Sequence, residues 1–217
     1  MRLLGGIDES GRGCVAGPLV VAGVAIAEER VESLRELGVR DSKKLSPRRR
    51  ETLYGEILGT CERVASVRIS PPEIDETVIN GRKYRKLNYL EAIYFAKVVD
   101  QLGAQRVTVD ASDSSPERFR SNIAERITSP CEVSAFHKAD RDFPVVSAAS
   151  IVAKVERDSE VEKLRMKHGN FGSGYPSDPR TRIFFTERMR RGEPLPEYVR
   201  KSWKTWKRLE QSLLAPF

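Results

Sequence analysis

The sequence predicts an α/β or α+β core carrying a largely helical C-terminal part. Two observations lead there. Strand-like runs come first along the chain and then alternate with stretches of helical periodicity. The last third holds helical stretches with no strand between them. With 217 residues and 39% hydrophobic content, the chain suits one large domain, or a domain with a modest appendage, and can bury a sizeable core.

Leu3 to Asp8 and Pro18 to Ala27 are rich in β-branched and small apolar residues and read as strands, with the turn-rich Glu9-Ser10-Gly11-Arg12-Gly13 between them. Ser46-Pro47 has the form of an N-cap followed by proline in the first turn, opening a helix to about Leu58. Arg63 to Ser70 alternates as a strand, and Pro71-Pro72 ends it. Leu87, Leu90, Tyr94 and Val98 mark the buried face of a long helix. Gln105 to Asp110 is a strand, Ser115-Pro116 starts a helix, and Cys131 to Phe136 is a further strand. Val145 to His168 is a long helix, Gly169 to Pro179 a loop, and two more helical stretches follow.

Composition excludes several classes. Charged residues make up 32%, but both signs are mixed among recurring apolar runs, which excludes a disordered chain. The longest apolar stretch, Val15 to Ala27, is interrupted by Gly17, Pro18 and Gly23 and is too short for a bilayer. Met1 leads directly into a strand-like run without the features of a signal peptide, so a cytoplasmic protein is expected, with no membrane partner. Cys14, Cys61 and Cys131 have no metal-ligand spacing and an odd count, and are expected as buried reduced thiols. His137 and His168 are the only histidines, so any metal must be held mainly by oxygen. His137 is expected to be structural.

The net charge is +7, and from Thr181 to Phe217 nine basic residues face four acidic ones, with Trp203 and Trp206 among them. A basic surface with interleaved aromatics suits a polyanion such as nucleic acid. A solvated helix whose tryptophans dock on the core accounts for the same pattern. Asp8 and Glu9 end the first strand, Asp110 ends another, and Asp140 precedes the Val145 helix. Gathered together they would repel unless a divalent cation neutralised them, and an oxygen-only ligand set suits Mg²⁺ or Mn²⁺. Singly, each has a plainer role: Asp8 as a turn-former, Asp110 as a helix-preceding cap, Asp140 as a surface charge. The absence of two Cβ atoms lets the backbone of Gly11, Arg12 and Gly13 approach a sugar, where only the 2′-hydroxyl separates RNA from DNA. It is equally a tight turn. Ser42, Lys43 and Lys44, just before a helix N-terminus, are placed to hold phosphate, or form an exposed loop. Lys138 and Lys154 are weaker candidates for that duty.

The blocks Gly6 to Gly13 followed by Gly17 to Ala22, Asp41-Ser42-Lys43-Lys44-Leu45, Val109-Asp110, Lys138-Ala139-Asp140, Ala148 to Asp158, Gly172 to Pro179 and Val199 to Thr205 together resemble ribonuclease HII, type 2 ribonuclease H, in its archaeal form. The resemblance covers nearly the whole chain in order. Ser10 departs from it, since the family more often has alanine there. The resemblance implies a ribonuclease H-like mixed five-stranded sheet flanked by helices in residues 1–168, and a C-terminal helical substrate-binding part in 169–210. It implies that Asp8, Glu9, Asp110 and Asp140 are the metal-binding and catalytic carboxylates for two Mg²⁺ or Mn²⁺ ions. It further implies that Gly11, Arg12 and Gly13 contact the ribonucleotide, that Tyr175 packs on the following deoxyribose, and that the protein is a monomer. The implied activity is hydrolysis of the RNA strand of RNA–DNA hybrids and cleavage 5′ to ribonucleotides embedded in duplex DNA, leaving 3′-hydroxyl and 5′-phosphate ends.

The tail, residues 211–217, resembles the clamp-binding box of replication and repair proteins through Gln211, Leu214 and Phe217. Leu214 and Phe217 suit an apolar pocket on a PCNA-type sliding clamp; a tail folded back on its own core is the other reading. Two different functions stay open at this point. One is a catalytically silent nucleic-acid-binding protein, and the other is a carboxylate-metal phosphotransfer enzyme that needs no 2′-hydroxyl.

Overall fold

A computed structural model describes residues 2–39, 45–82, 86–206 and 208 of the chain. Ser42, Lys43, Lys44, Gln211, Leu214 and Phe217 lie outside the described residues. The core is a five-stranded mixed sheet of order β3-β2-β1-β4-β5. Strands β1 (Leu3–Ser10), β2 (Leu19–Ala27) and β3 (Arg63–Ile69) form an antiparallel half, whereas β4 (Arg106–Asp110) and β5 (Glu132–Phe136) run parallel to β1. Strand β1 thus lies at the sheet centre, between the two halves.

Helices cover both faces. The described helices are α1 (Val31–Glu36), α2 (Pro47–Thr60), α3 (Pro71–Asn80), α4 (Leu87–Leu102), α5 (Pro116–Ala124), α6 (Ala139–Asp142), α7 (Pro144–His168) and α8 (Pro179–Arg190). All nine residues of β2 are buried, and their alternation sorts them between the two faces. Leu19, Val21 and Ala25 join Phe95 and Val98 of α4 in one core. Ala22, Val24 and Ile26 join Ile151 and Val152 of α7 and Leu53 of α2 in the other. A third cluster gathers Val15, Ala16 and Val161 with Phe171, Phe185, Val199 and Trp206 from the C-terminal part.

The ends of the helices follow local chemistry. Ser46, Ser70 and Ser115 each accept a backbone N–H from the residue three positions on, and each precedes a proline in the first turn. Pro71-Pro72 therefore both ends β3 and opens α3, a helix the sequence reading left out. Beyond α8, residues 204–206 and 208 are helical among the described residues. Trp206 is buried and its ring N–H donates to the Arg200 carbonyl (2.8 Å), so it docks on the core instead of lining an open basic surface. The three cysteines are free, but only Cys14 is buried; Cys61 and Cys131 are half-buried. Among the described residues no helix is long and apolar enough to cross a membrane.

Strand β1 and helix α7 meet at unusually short range. A Cβ built on Gly6 would lie 2.2 Å from the Val145 carbonyl carbon and 2.4 Å from the Val146 nitrogen. Only a hydrogen at this position lets the first turn of α7 rest on the strand backbone, next to Asp8.

Candidate active site

Sheet register brings the first two carboxylates together. Ile7 and Val109 are partners in the parallel β1–β4 pair and both point into the α4-side core. Asp8 and Asp110, one residue further along each strand, therefore emerge side by side on the α7 face. The short α6 supplies Asp140 to the same place. Carboxylate oxygens of Asp8, Asp110 and Asp140 lie within 4.8 Å of one another, with Asp8 and Asp140 buried. Lys138, in the left-handed conformation with φ 58°, turns the chain from β5 into α6, and the Ala139 N–H donates to Asp110 Oδ1 at 3.2 Å.

Glu9 is outside this 4.8 Å set, yet its side chain reaches the Asp8 carboxylate. It is half-buried, its backbone N–H donates to Asp8 Oδ1 at 2.7 Å, and strand alternation turns its side chain away from the α7 face. Burial, then Asp8, Glu91 and Asp110, hold its carboxyl well above the usual 4.5. Burial and the neighbouring Asp8 raise Asp110 from 3.8 to about 6. Three converging carboxylates with no histidine or cysteine among them, together with this mutual repulsion, fit a hard divalent cation.

Next to the trio, β1 ends in the glycine turn. Gly11 has φ +95°, a conformation that disfavours side chains, and a Cβ there would meet the Pro18 carbonyl at 2.8 Å. Tyr175 lies on the other side of the turn, its Cε1 3.9 Å from where a Gly13 Cβ would be. The two glycines and the tyrosine named from the sequence are therefore adjacent, although 162 positions separate Gly13 from Tyr175. The Arg157 guanidinium sits 4.7 Å from the Tyr175 ring centre. The carbonyl of Gly174 accepts the Val15 N–H at 2.8 Å, fixing the 169–179 loop on the turn. His137 and Lys138, by contrast, are exposed. Lys154 lies on α7 with its ammonium near Ser150.

Three buried charges at this site carry no assigned role in the sequence reading. Arg157 donates to Cys14 Sγ (2.8 Å) and the Ser173 carbonyl. Arg200, fully buried, donates to the carbonyls of Arg12 (2.9 Å) and Gly17 (3.1 and 3.2 Å). Glu91, fully buried on α4, pairs with Arg12. Glu91 alone left a sequence signal: it falls midway between Leu87 and Phe95 at i, i+4 spacing, on the apolar face of the helix.

Comparison with known proteins agrees with this architecture. The ribonuclease HII family model matches residues 5–206. The ribonuclease HII of Thermococcus kodakarensis is 46% identical over 212 residues, 97% of this chain and 90% of that protein. The crystal structure of ribonuclease H2 from Pyrococcus horikoshii superposes with a TM-score of 0.88 at 40% identity, covering 99% of this chain and 100% of that one. The structure of the PCNA:RNase HII complex from Archaeoglobus fulgidus gives a TM-score of 0.84 at 44% identity, over 93% and 95%. The match over almost the whole length, on the same mixed sheet, places this chain in the ribonuclease HII family of type 2 ribonucleases H.

Proposed function

We propose that the chain is an endonuclease that hydrolyses the RNA strand of RNA–DNA hybrids and cuts on the 5′ side of ribonucleotides embedded in duplex DNA, leaving 3′-hydroxyl and 5′-phosphate ends. The observation that carries this is the convergence of Asp8, Asp110 and Asp140 beside the Gly11-Arg12-Gly13 turn and Tyr175. Asp8, Glu9, Asp110 and Asp140 would hold two Mg²⁺ or Mn²⁺ ions. Such ions, when bound, supply Lewis acidity to activate water and to neutralise charge on the leaving 3′-oxygen. By fixing where those ions would sit, the carboxylates would set the position of the scissile phosphate. Backbone groups of the glycine turn receive the 2′-hydroxyl, and Tyr175 packs on the sugar that follows, a contact indifferent to base identity. Ser42, Lys43 and Lys44 grip the flanking phosphate.

In this reading, residues 1–168 are the catalytic core and 169–210 the substrate-binding part of a monomer acting in replication and repair. The third hydrophobic cluster packs Phe171, Phe185 and Trp206 of the second part against Val15, Ala16 and Val161 of the first. Residues 211–217 dock on a PCNA-type sliding clamp through Gln211, Leu214 and Phe217, a reading supported by the Archaeoglobus fulgidus relative whose structure is a PCNA complex. The decisive experiment is gel analysis of a duplex with one ribonucleotide, a continuous hybrid and an all-DNA duplex, each with and without Mg²⁺ or Mn²⁺. Cleavage of the first two alone, only with metal, is the expected result. Equal cleavage of the all-DNA duplex overturns the reading of the turn, and binding without cleavage overturns the enzyme assignment.

A further inference from the structure

We infer that Glu91 is a positioning residue that sets the distance between the glycine turn and the Asp110 carboxylate, and thereby governs preference for a single embedded ribonucleotide. The inference rests on the function proposed above. Glu91 is fully enclosed, whereas Arg12 is 38% exposed, so the carboxylate is the fixed end of the pair. Arg12 Nε donates to both Glu91 oxygens, at 2.9 and 3.2 Å, and Arg12 Nη2 donates to Asn88 Oδ1 at 2.5 Å. Asn88 and Glu91 lie one above the other in the first turns of α4. The turn is thus clamped from behind by a helix that belongs to the α4-side core.

The second half of the link reaches the carboxylate strand. Ser112 Oγ donates to Glu91 Oε2 at 2.7 Å, and Asn88 Nδ2 donates to Asp113 Oδ2 at 2.9 Å. Ser112 and Asp113 follow Asp110 by two and three residues. Arg118 closes the chain by donating to Asp113. Glu91 therefore sits between two partners, one in the turn and one just past the end of β4. A buried carboxylate costs several kcal/mol in desolvation and is a poor way to gain stability. Such a group with both oxygens saturated by partners from two different site elements is well suited to fixing geometry.

A continuous hybrid presents a 2′-hydroxyl at every register, so a loosened turn still finds one. A single ribonucleotide presents one, which must reach the turn while its phosphate reaches the carboxylates. Loss of the strut therefore falls more heavily on the second substrate. The test compares kcat/KM on the two substrates for the wild type and for E91Q, S112A, R12Q and the R12Q/E91Q double variant. Mn²⁺ titration calorimetry and thermal melting are run on each. For E91Q we expect the ratio of single-ribonucleotide to hybrid kcat/KM to fall about 10-fold, with Mn²⁺ affinity within about twofold of wild type. S112A should lower the ratio in the same direction, and the double variant should lose no more than R12Q alone. S112A carries the test if E91Q does not fold. An unchanged ratio, an equal loss on both substrates, or additive losses in the double variant overturns the inference. A wild type that cleaves neither substrate overturns the proposed function instead.

Discussion

Replacing Gly6 by alanine should injure stability and cleavage together, because the residue sets the spacing between β1 and α7. The added Cβ would lie 2.2 Å from the Val145 carbonyl carbon and 2.4 Å from its oxygen and the Val146 nitrogen. These are backbone atoms of a helix start, so no side-chain rotation relieves the overlap. The first turn of α7 has to retreat by about 1 Å to restore ordinary contact. Phe143, whose carbonyl accepts the Val146 and Ser147 N–H groups, ties that turn to α6, so Asp140 moves with it. The Ala139 N–H would also leave Asp110, at 3.2 Å already a long hydrogen bond. Overpacking of this kind costs about 3 kcal/mol, and a 1 Å misplacement of a reacting group costs roughly 100-fold in rate. Denaturant unfolding and single-turnover cleavage of a hybrid measure the two effects. Gly55 on α2, with nothing within 4 Å of its Cβ position, is the control; alanine there should stabilise by about 0.5–1 kcal/mol. A Gly6→Ala protein with wild-type stability and wild-type cleavage would show that the β1–α7 contact does not position Asp140.

Other outcomes follow from the same geometry. Asp110→Asn keeps an acceptor for the Ala139 N–H but removes a charge that its neighbours oppose, so it should abolish cleavage and stabilise the metal-free protein at pH 7–8. Between pH 3.8 and about 6 the native state holds a proton that the unfolded state has released, so metal-free stability falls as pH rises through that window. The gap corresponds to about 3 kcal/mol, and exposure of Asp110 to solvent screens it to about 1 kcal/mol; equal pH profiles for wild type and Asp110→Asn would contradict this. Tyr175→Ala should slow cleavage at single ribonucleotides at least 10-fold with little change in melting, since the ring is half-buried at the site edge. A loss confined to melting temperature would assign it to packing. Removing residues 211–217 should eliminate clamp binding in calorimetry and leave hydrolysis of a short duplex nearly unchanged. A large loss of stability would instead favour a tail folded on the core.

Elements with strong local signals were legible in the sequence. The serine caps before prolines, the alternation of Val107 and Val109 and the spacing of Leu87, Leu90, Tyr94 and Val98 lead to α2, α5, β4 and α4 within a residue or two. Helix α3 was not, because Pro71-Pro72 reads first as a strand stop, and the helix that follows is short, with Ile74 and Val78 as its core-facing residues. The positions of Asp8, Asp110 and Asp140 were legible only as strand ends and a polar stretch; their meeting depends on the β1–β4 register, which pairs segments about a hundred residues apart. The same register and strand alternation explain why Glu9, adjacent to Asp8 in sequence, stands outside the trio. Buried charges were the least legible part. Arg157 and Arg200 look like members of basic helical stretches, and only three-dimensional closure shows each donating to backbone carbonyls of distant segments. Trp206 was ambiguous for the same reason, since docking and exposure leave an identical one-dimensional pattern.

The bond from Arg200 to the carbonyl of Arg12 has a consequence for biosynthesis. Strand β1 leaves the ribosome before the other four strands of the sheet, and the carboxylates can assemble once α7 has been made. The turn that follows β1 still lacks the guanidinium that holds its carbonyls until residue 200 emerges. A nascent or prematurely terminated polypeptide would therefore possess an acidic cluster but an unclosed turn. The selectivity of the site is thus the last of its properties to be completed, and fragments ending before Arg200 should discriminate poorly between a single ribonucleotide and a continuous hybrid.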